Sequence, residues 1–202
     1  MRADIREVYS GILPPMVTRY LILLRGINVG GRNKVQMAAL RELLESHGHT
    51  RVSTYIASGN VILSSDQSAA SIKRELEEAL PKTFKLDSEL IAVLVLTRAQ
   101  LRAVVRDRPK GFGDQPDTYN SDAVFLMGID APTAMKVFDP RPGVDEVWPG
   151  KGVIYSQRLS AQRTKSRLGK IVGTPAYKSM TIRSWATTLA LLERMEAPEG
   201  DA

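Results

Sequence analysis

The order of elements in the first half of the chain constrains its fold more than any other feature. Residues Thr18 to Leu24 are rich in Tyr, Leu and Ile and end at Arg25-Gly26, which reads as a buried strand closed by a turn. From Gln36 to Ser46 the apolar positions Met37, Leu40, Leu43 and Leu44 share one helical face, closed by Gly48. Arg51 to Ile56 reads as a strand, Ser58-Gly59-Asn60 as a turn, and Val61 to Ser64 as the returning hairpin partner. Ser68 to Leu80 places Ile72, Leu76, Ala79 and Leu80 on one face and is expected to stop at Pro81. The uncharged run Ile91 to Leu96 reads as a central strand covered on both faces. Strand, helix, strand, strand, helix, strand is the split βαβ order of a ferredoxin-like plait.

The second half repeats that order without any residue-level repeat. Thr97 and Gln100 form a capping box for a helix carrying Leu101, Val104 and Val105 and ending by Pro109. A loop rich in Gly, Pro and Asp, Lys110 to Asn120, leads to a strand at Ala123 to Met127 and a short helix at Pro132 to Phe138. Strands at Val144 to Trp148 and Val153 to Tyr155 are joined by Pro149-Gly150, and a helix starting near Thr164 follows. Thr181 is placed to cap a last helix whose Ile182, Trp185, Leu189 and Leu192 form an apolar stripe. The expected class is α+β: two ferredoxin-like plaits packed together, the second less regular. Residues 1–15 form an appended tail beyond Pro14-Pro15, with Met16 a candidate natural start. Residues 16–97 and 98–195 are the two subdomains, and 196–202 a short tail.

The stretch Leu23-Leu24-Arg25-Gly26-Ile27-Asn28-Val29-Gly30-Gly31, continued by Lys34-Val35, Leu40-Arg41, Thr54-Tyr55-Ile56 and Ser58-Gly59-Asn60-Val61, resembles the opening of a bacterial family, domain of unknown function 1697 (DUF1697). Lys165-Ser166 and Thr181-Ile182-Arg183-Ser184-Trp185 resemble its C-terminal signature, with departures at Ile182 and Ser184 and with the Ser-Lys order inverted. The resemblance spans roughly Met16 to Met195. It implies a two-plait α+β fold and carries no activity with it.

Chemistry is therefore read from the residues. Gly26 to Lys34 joins the first strand to the first helix, and its glycines let backbone amides converge where Arg25, Arg32 and Lys34 add positive charge. Two readings stand: an anion nest using Arg25, Gly26, Asn28, Gly30, Gly31 and Lys34, or a tight crossover in which Gly30 and Gly31 supply positive φ and Asn28 bonds the loop backbone. The loop has neither Walker nor dinucleotide-binding spacing. Ser58 and Asn60 read either as a hairpin turn or as hydrogen-bonding groups beside a site.

Charge is segregated further on. Between Lys151 and Leu192 lie Lys151, Arg158, Arg163, Lys165, Arg167, Lys170, Lys178 and Arg183 without an acid, whereas Asp114 to Glu146 is acidic. Such a block is held by splaying into solvent, by pairing within the fold, or by an anionic ligand, for which Arg163, Lys165, Ser166, Arg167 and Arg183 are the candidates.

Composition narrows the function. The chain has no cysteine, which excludes disulfides, thiolate nucleophiles and cysteine-held metals. With His47 and His49 its sole imidazoles, no histidine-based metal site or triad is expected. A Ser166-Lys165 dyad is disfavoured because adjacent residues on a helix do not face each other. Trp148 and Trp185 read as core. No apolar run is long enough to span a bilayer, so a cytoplasmic address is the default. The formal charge of +6 admits an anionic partner. The leading expectation is a non-catalytic binder of a phosphate-bearing small molecule or nucleic acid through a basic face, with no cofactor and no metal. An enzyme of nucleotide or phosphoester chemistry and a structural or regulatory homodimer are the alternatives.

Overall fold

A computed structural model describes residues 17–87 and 91–198 of the 202; the expected tail at 1–15 lies outside them. In chain order the elements are β1 (Thr18–Arg25), α1 (Met37–Ser46), β2 (Thr50–Tyr55), β3 (Asn60–Ser65), α2 (Ala69–Thr83), β4 (Ala92–Thr97), α3 (Arg98–Arg106), β5 (Tyr119–Leu126), α4 (Ala131–Met135), β6 (Asp145–Gly150), β7 (Val153–Leu159), β8 (Met180–Ser184) and α5 (Trp185–Glu196). Three 3₁₀ turns, Ser160–Lys165, Leu168–Gly173 and Pro175–Ser179, lie between β7 and β8.

The strands form two four-stranded antiparallel sheets of matching order, β2-β3-β1-β4 and β6-β7-β5-β8. Both are ferredoxin-like plaits, and the second is the less regular. Where the first has α2 before its last strand, the second has only the 3₁₀ turns. The helix expected near Thr164 does not form. Gly169, Gly173 and Pro175 interrupt that stretch, and each turn closes after a few residues.

β1 is the central strand of its sheet, and its near-continuous apolar run has a simple cause. Tyr20, Ile22 and Leu24 enter the core under α1 and α2, while Leu21 and Leu23 enter a second core on the other face. That second core joins the two sheets: Leu21, Leu23 and Ile62 meet Ala123, Phe125, Val153 and Tyr155, with Leu101 and Val104 of α3 and Trp185, Leu191 and Met195 of α5 between them. A third core packs α4 and the 3₁₀ turns on the outer face of the second sheet.

Several boundaries differ from the sequence expectations. The run Ile91 to Leu96 becomes β4, which pairs with β1 as an edge strand, partly exposed along most of its length; Val93 and Val95 pack into the core under α1 and α2, and Leu94 and Leu96 into the inter-sheet core. α2 runs through Pro81 to Thr83, because a proline in the last turn forfeits just one ladder bond and Phe84 still caps Leu80 at 2.9 Å. Pro149 and Gly150 lie inside β6, an edge strand that tolerates proline, and the hairpin turns at Lys151-Gly152. Met180 to Ser184 is a strand, so the cap of α5 is Ser184, whose hydroxyl accepts the Thr187 N–H. The buried stripe is consequently Trp185, Thr188, Leu191 and Met195, and Leu189 is 41% exposed. Trp148 is half-buried at the edge of the shared core.

Candidate functional site

β1 and β8 approach each other at one corner of the molecule, and Arg183 lies between them, 7% exposed. A guanidinium carries five N–H donors, and all five of Arg183's are engaged. Nε donates to Asn60 Oδ1. One terminal nitrogen donates to Thr181 Oγ1 and the Ile182 carbonyl, both at 2.8 Å. The other reaches the Leu24 carbonyl at 3.0 Å and the Ser58 carbonyl at 3.1 Å. None of these acceptors is charged, and burial pushes the Arg183 pKa down to about 10. Asn60 is fully buried beneath it and donates to the Tyr55 carbonyl and the Ser58 hydroxyl. Arg183 and Asn60 are thus internal links between the two sheets, and neither has a donor left for a ligand.

The loop after β1 is tied mainly to itself. Asn28, with φ of 54°, donates to the Val35 and Ala57 carbonyls and accepts the Val35 N–H at 2.8 Å. The Asn28 and Arg32 amides bond the Asn33 and Val29 carbonyls. Asn33 ties Gly26 to Asp87. Gly30 and Gly31 sit at the exposed tip in left-handed conformation. The crossover reading of the loop describes these contacts, and Lys34 is exposed.

Beside this loop lies a cleft of about 370 Å³ between Gly26–Val29 and the segment Tyr177–Arg183. Arg25, Arg32 and Arg183 line it, and no Asp or Glu is among its described lining residues. Arg25 is positioned from the second sheet: its Nε donates to the Met180 carbonyl at 3.0 Å and its guanidinium lies over the Tyr177 ring, 5.2 Å from the centroid. Arg32 is exposed and meets Asp87 at 3.2 Å. Leu24, Ile27, Met180 and Ile182 supply apolar wall. Of the residues expected from sequence, Arg25, Gly26, Asn28, Ser58 and Arg183 line this cleft; Gly30, Gly31, Lys34 and Asn60 do not. Tyr177 was not foreseen, because nothing in a stretch read as helix marks it as a cleft wall.

The basic block is not gathered there. Arg167 and Lys170 both meet Asp139, at 3.2 and 3.3 Å, and Arg158 meets Asp122 at 3.4 Å. The Arg167 amide donates to buried Asp145 at 2.8 Å, and Arg141 reaches the Lys165 carbonyl. Burial pulls the Asp145 carboxyl up, but the Arg167 amide, the Ser166 hydroxyl and the Arg141 amide hold it below the usual range. Ser166 also accepts the Leu168 N–H, which makes it a turn residue. Arg163 and Lys165 are exposed. Three cations of the block, Arg158, Arg167 and Lys170, are therefore paired within the fold by the acidic segment.

The model of the family described as protein of unknown function DUF1697 matches residues 17–155. The chain belongs to the DUF1697 family. It is also similar in structure to a conserved bacterial protein from Streptococcus pneumoniae, with a TM-score of 0.78 and 28% identity over 90% of this chain and 100% of that one. No curated protein matches it. In this DUF1697 protein the two imidazoles lie outside the cleft: His47 Nδ1 and His49 Nε2 both approach Glu75 Oε1, at 3.1 and 2.9 Å. No helix among the described residues is long and apolar enough to cross a membrane.

Proposed function

We propose that this DUF1697 protein is a cytoplasmic, non-catalytic binder of a small phosphate-bearing molecule, held in the cleft between the glycine loop and β8. One observation carries the reading: three guanidinium groups and no described carboxylate line a cleft of about 370 Å³, a size suited to a small ligand. Arg25 and Arg32 contribute the hydrogen-bonding contacts, and Arg183, its donors engaged, contributes only field. The Tyr177 ring and the apolar wall favour a ligand with a planar or apolar part beside its phosphate. A small molecule is preferred to nucleic acid because the cations of the basic block are not gathered beside this cleft into one continuous basic face.

Calorimetric titration with a nucleoside monophosphate, beside inorganic phosphate, tests the reading. Wild type should bind the nucleotide, and Arg32→Ala, which removes an exposed side chain, should weaken binding about tenfold or more by losing a charge-assisted hydrogen bond. Equal affinity in wild type and Arg32→Ala, or no binding of either probe at millimolar concentration, overturns it.

A further inference from the structure

Where the edge strand β4, α3 and the second sheet meet lies a cleft of about 520 Å³. Its walls are largely apolar: Leu94 and Leu96 of β4, Ala103 of α3, and Phe125, Leu126 and Tyr155 of the second sheet. Tyr155 presents its ring, since its hydroxyl donates to the Val104 carbonyl at 2.7 Å. A cavity of this size, apolar with a few placed polar groups, is the usual form of a small-molecule site. Among the described lining residues Asp107 and Lys151 are charged. Both Asp107 oxygens are taken by the Arg106 guanidinium, at 2.6 and 2.8 Å. Lys151 is exposed in the β6–β7 turn and meets no described carboxylate.

A second observation points to the same place: the wall contains an open piece of backbone. In an antiparallel ladder, alternate residues turn their N–H and C=O away from the partner strand. The Leu24 N–H points to the Gly59 carbonyl on the β3 side, so its β4 partner Val93 turns outward, and Val95 and Thr97 with it. Side chains take two of these three outward amides. Glu77 Oε1 accepts the Val93 N–H at 3.1 Å, and Gln100 Oε1 accepts that of Thr97 at 2.8 Å. Capping of this kind keeps an edge from adding another strand. Between them the Val95 N–H and C=O have no partner among the described residues. Val95 lines the cleft while its side chain packs against the core under α1 and α2, so it offers the cleft one main-chain donor and one main-chain acceptor.

We propose that this cleft binds an apolar amino acid acylated on its nitrogen. The N–H and carboxylate of such a molecule match the C=O and N–H of Val95, as one residue of an added strand would. Its side chain and acyl group displace water from apolar walls, and Lys151 supplies the countercharge for the carboxylate. A longer peptide gains nothing, because the outward amides on either side are already bonded.

Calorimetric titration of the full-length protein with N-hexanoyl-L-phenylalanine, beside its primary amide and its N-methyl analogue, tests this. N-methylation removes the donor and amidation the charge, and each should weaken binding about tenfold. Lys151→Ala should weaken the acid about tenfold and leave the amide unchanged. Ala103→Trp fills the cleft from a half-buried position and should abolish binding of both. Arg32→Ala, in the glycine-loop cleft, should change nothing, and a nucleoside monophosphate should not compete. No saturation by the acid at about 1 mM overturns the proposal, as does binding that survives Ala103→Trp or is lost in Arg32→Ala. An N-hexanoyl tripeptide bound about tenfold tighter overturns it in favour of strand addition, and a dimer that Ala103→Trp dissociates overturns it in favour of a second copy. Should Ala103→Trp fail to fold, the exposed Lys151→Ala and its split between acid and amide decide alone.

Discussion

Glu75 shows how a single carboxylate is stabilised by its neighbours. His49 is buried, and its Nε2 meets Glu75 Oε1 at 2.9 Å, a contact in which the carboxylate accepts. His47 approaches the same oxygen, and Gln67 donates to the other at 3.0 Å. Burial pulls the Glu75 pKa up, but the bonds from Gln67, His49 and His47 outweigh it and hold the group below its ordinary 4.5. A carboxyl depressed in the folded state stabilises the protein above its unfolded pKa, and the contribution disappears as pH falls through the folded value. Urea titrations of wild type and Glu75→Gln should therefore differ at pH 7 and converge only once the pH has fallen below 4.5. Curves that stay parallel across that range would show that Glu75 contributes nothing through its charge. From sequence His47 and His49 were legible only as too few imidazoles for catalysis. Their shared partner lies on α2, a contact that no spacing announces.

At the scale of elements, the loop between α3 and β5 is better ordered than its Gly, Pro and Asp content implies. Phe112 is fully buried, with its ring edge-to-face against Trp185 at 5.0 Å, Tyr155 at 5.2 Å and Trp148 at 6.0 Å. Gly113, with φ of 76°, lets the backbone pass the Trp185 indole so closely that a Cβ would lie 2.3 Å from Cδ1. Gly113→Ala should lose about 2 to 4 kcal/mol, combining overpacking with left-handed strain. Gly111→Ala, also left-handed but facing open space, should lose only about 1 kcal/mol. Equal losses in denaturant melts would mean that the indole moves aside freely. Elements with one clear period, such as α1, α2 and the β2–β3 hairpin, were legible because a single apolar face determines them. β8 was not, because it runs into α5 without a turn residue, and its Thr181 and Arg183 point their polar groups inward. The stretch before β8 has apolar residues at helical spacing, yet Gly169, Gly173 and Pro175 prevail over that pattern.

Across the whole molecule, each sheet has a core of its own on its outer face, but neither buries its inner face alone. Leu21, Leu23 and Ile62 of the first are covered only by α3, α5 and the inner face of the second, and the Tyr155 hydroxyl donates to the Val104 carbonyl within that layer at 2.7 Å. Arg183 closes the corner with bonds to Leu24, Ser58 and Asn60 of the first sheet and its hairpin. The order of strands reveals two plaits, but the faces that join them are apolar in the same way as any core, so the sequence does not announce the joint. The polar residues at the corner are legible from sequence only as hydrogen-bonding groups, and that the donors of Arg183 and Asn60 are engaged inside the fold is visible only in the structure. Because the central layer is buried only when both halves are in place, unfolding should be one cooperative transition. Arg183→Met removes the buried guanidinium and leaves its acceptors unpaired, which should cost about 3 kcal/mol or more. Tryptophan fluorescence reports the second half, which holds both Trp148 and Trp185, and far-UV dichroism reports both halves. In guanidinium melts the two signals should shift together to a lower midpoint with an unchanged slope. If the fluorescence transition separates from the dichroism in Arg183→Met, the halves fold independently and the shared core does not couple them.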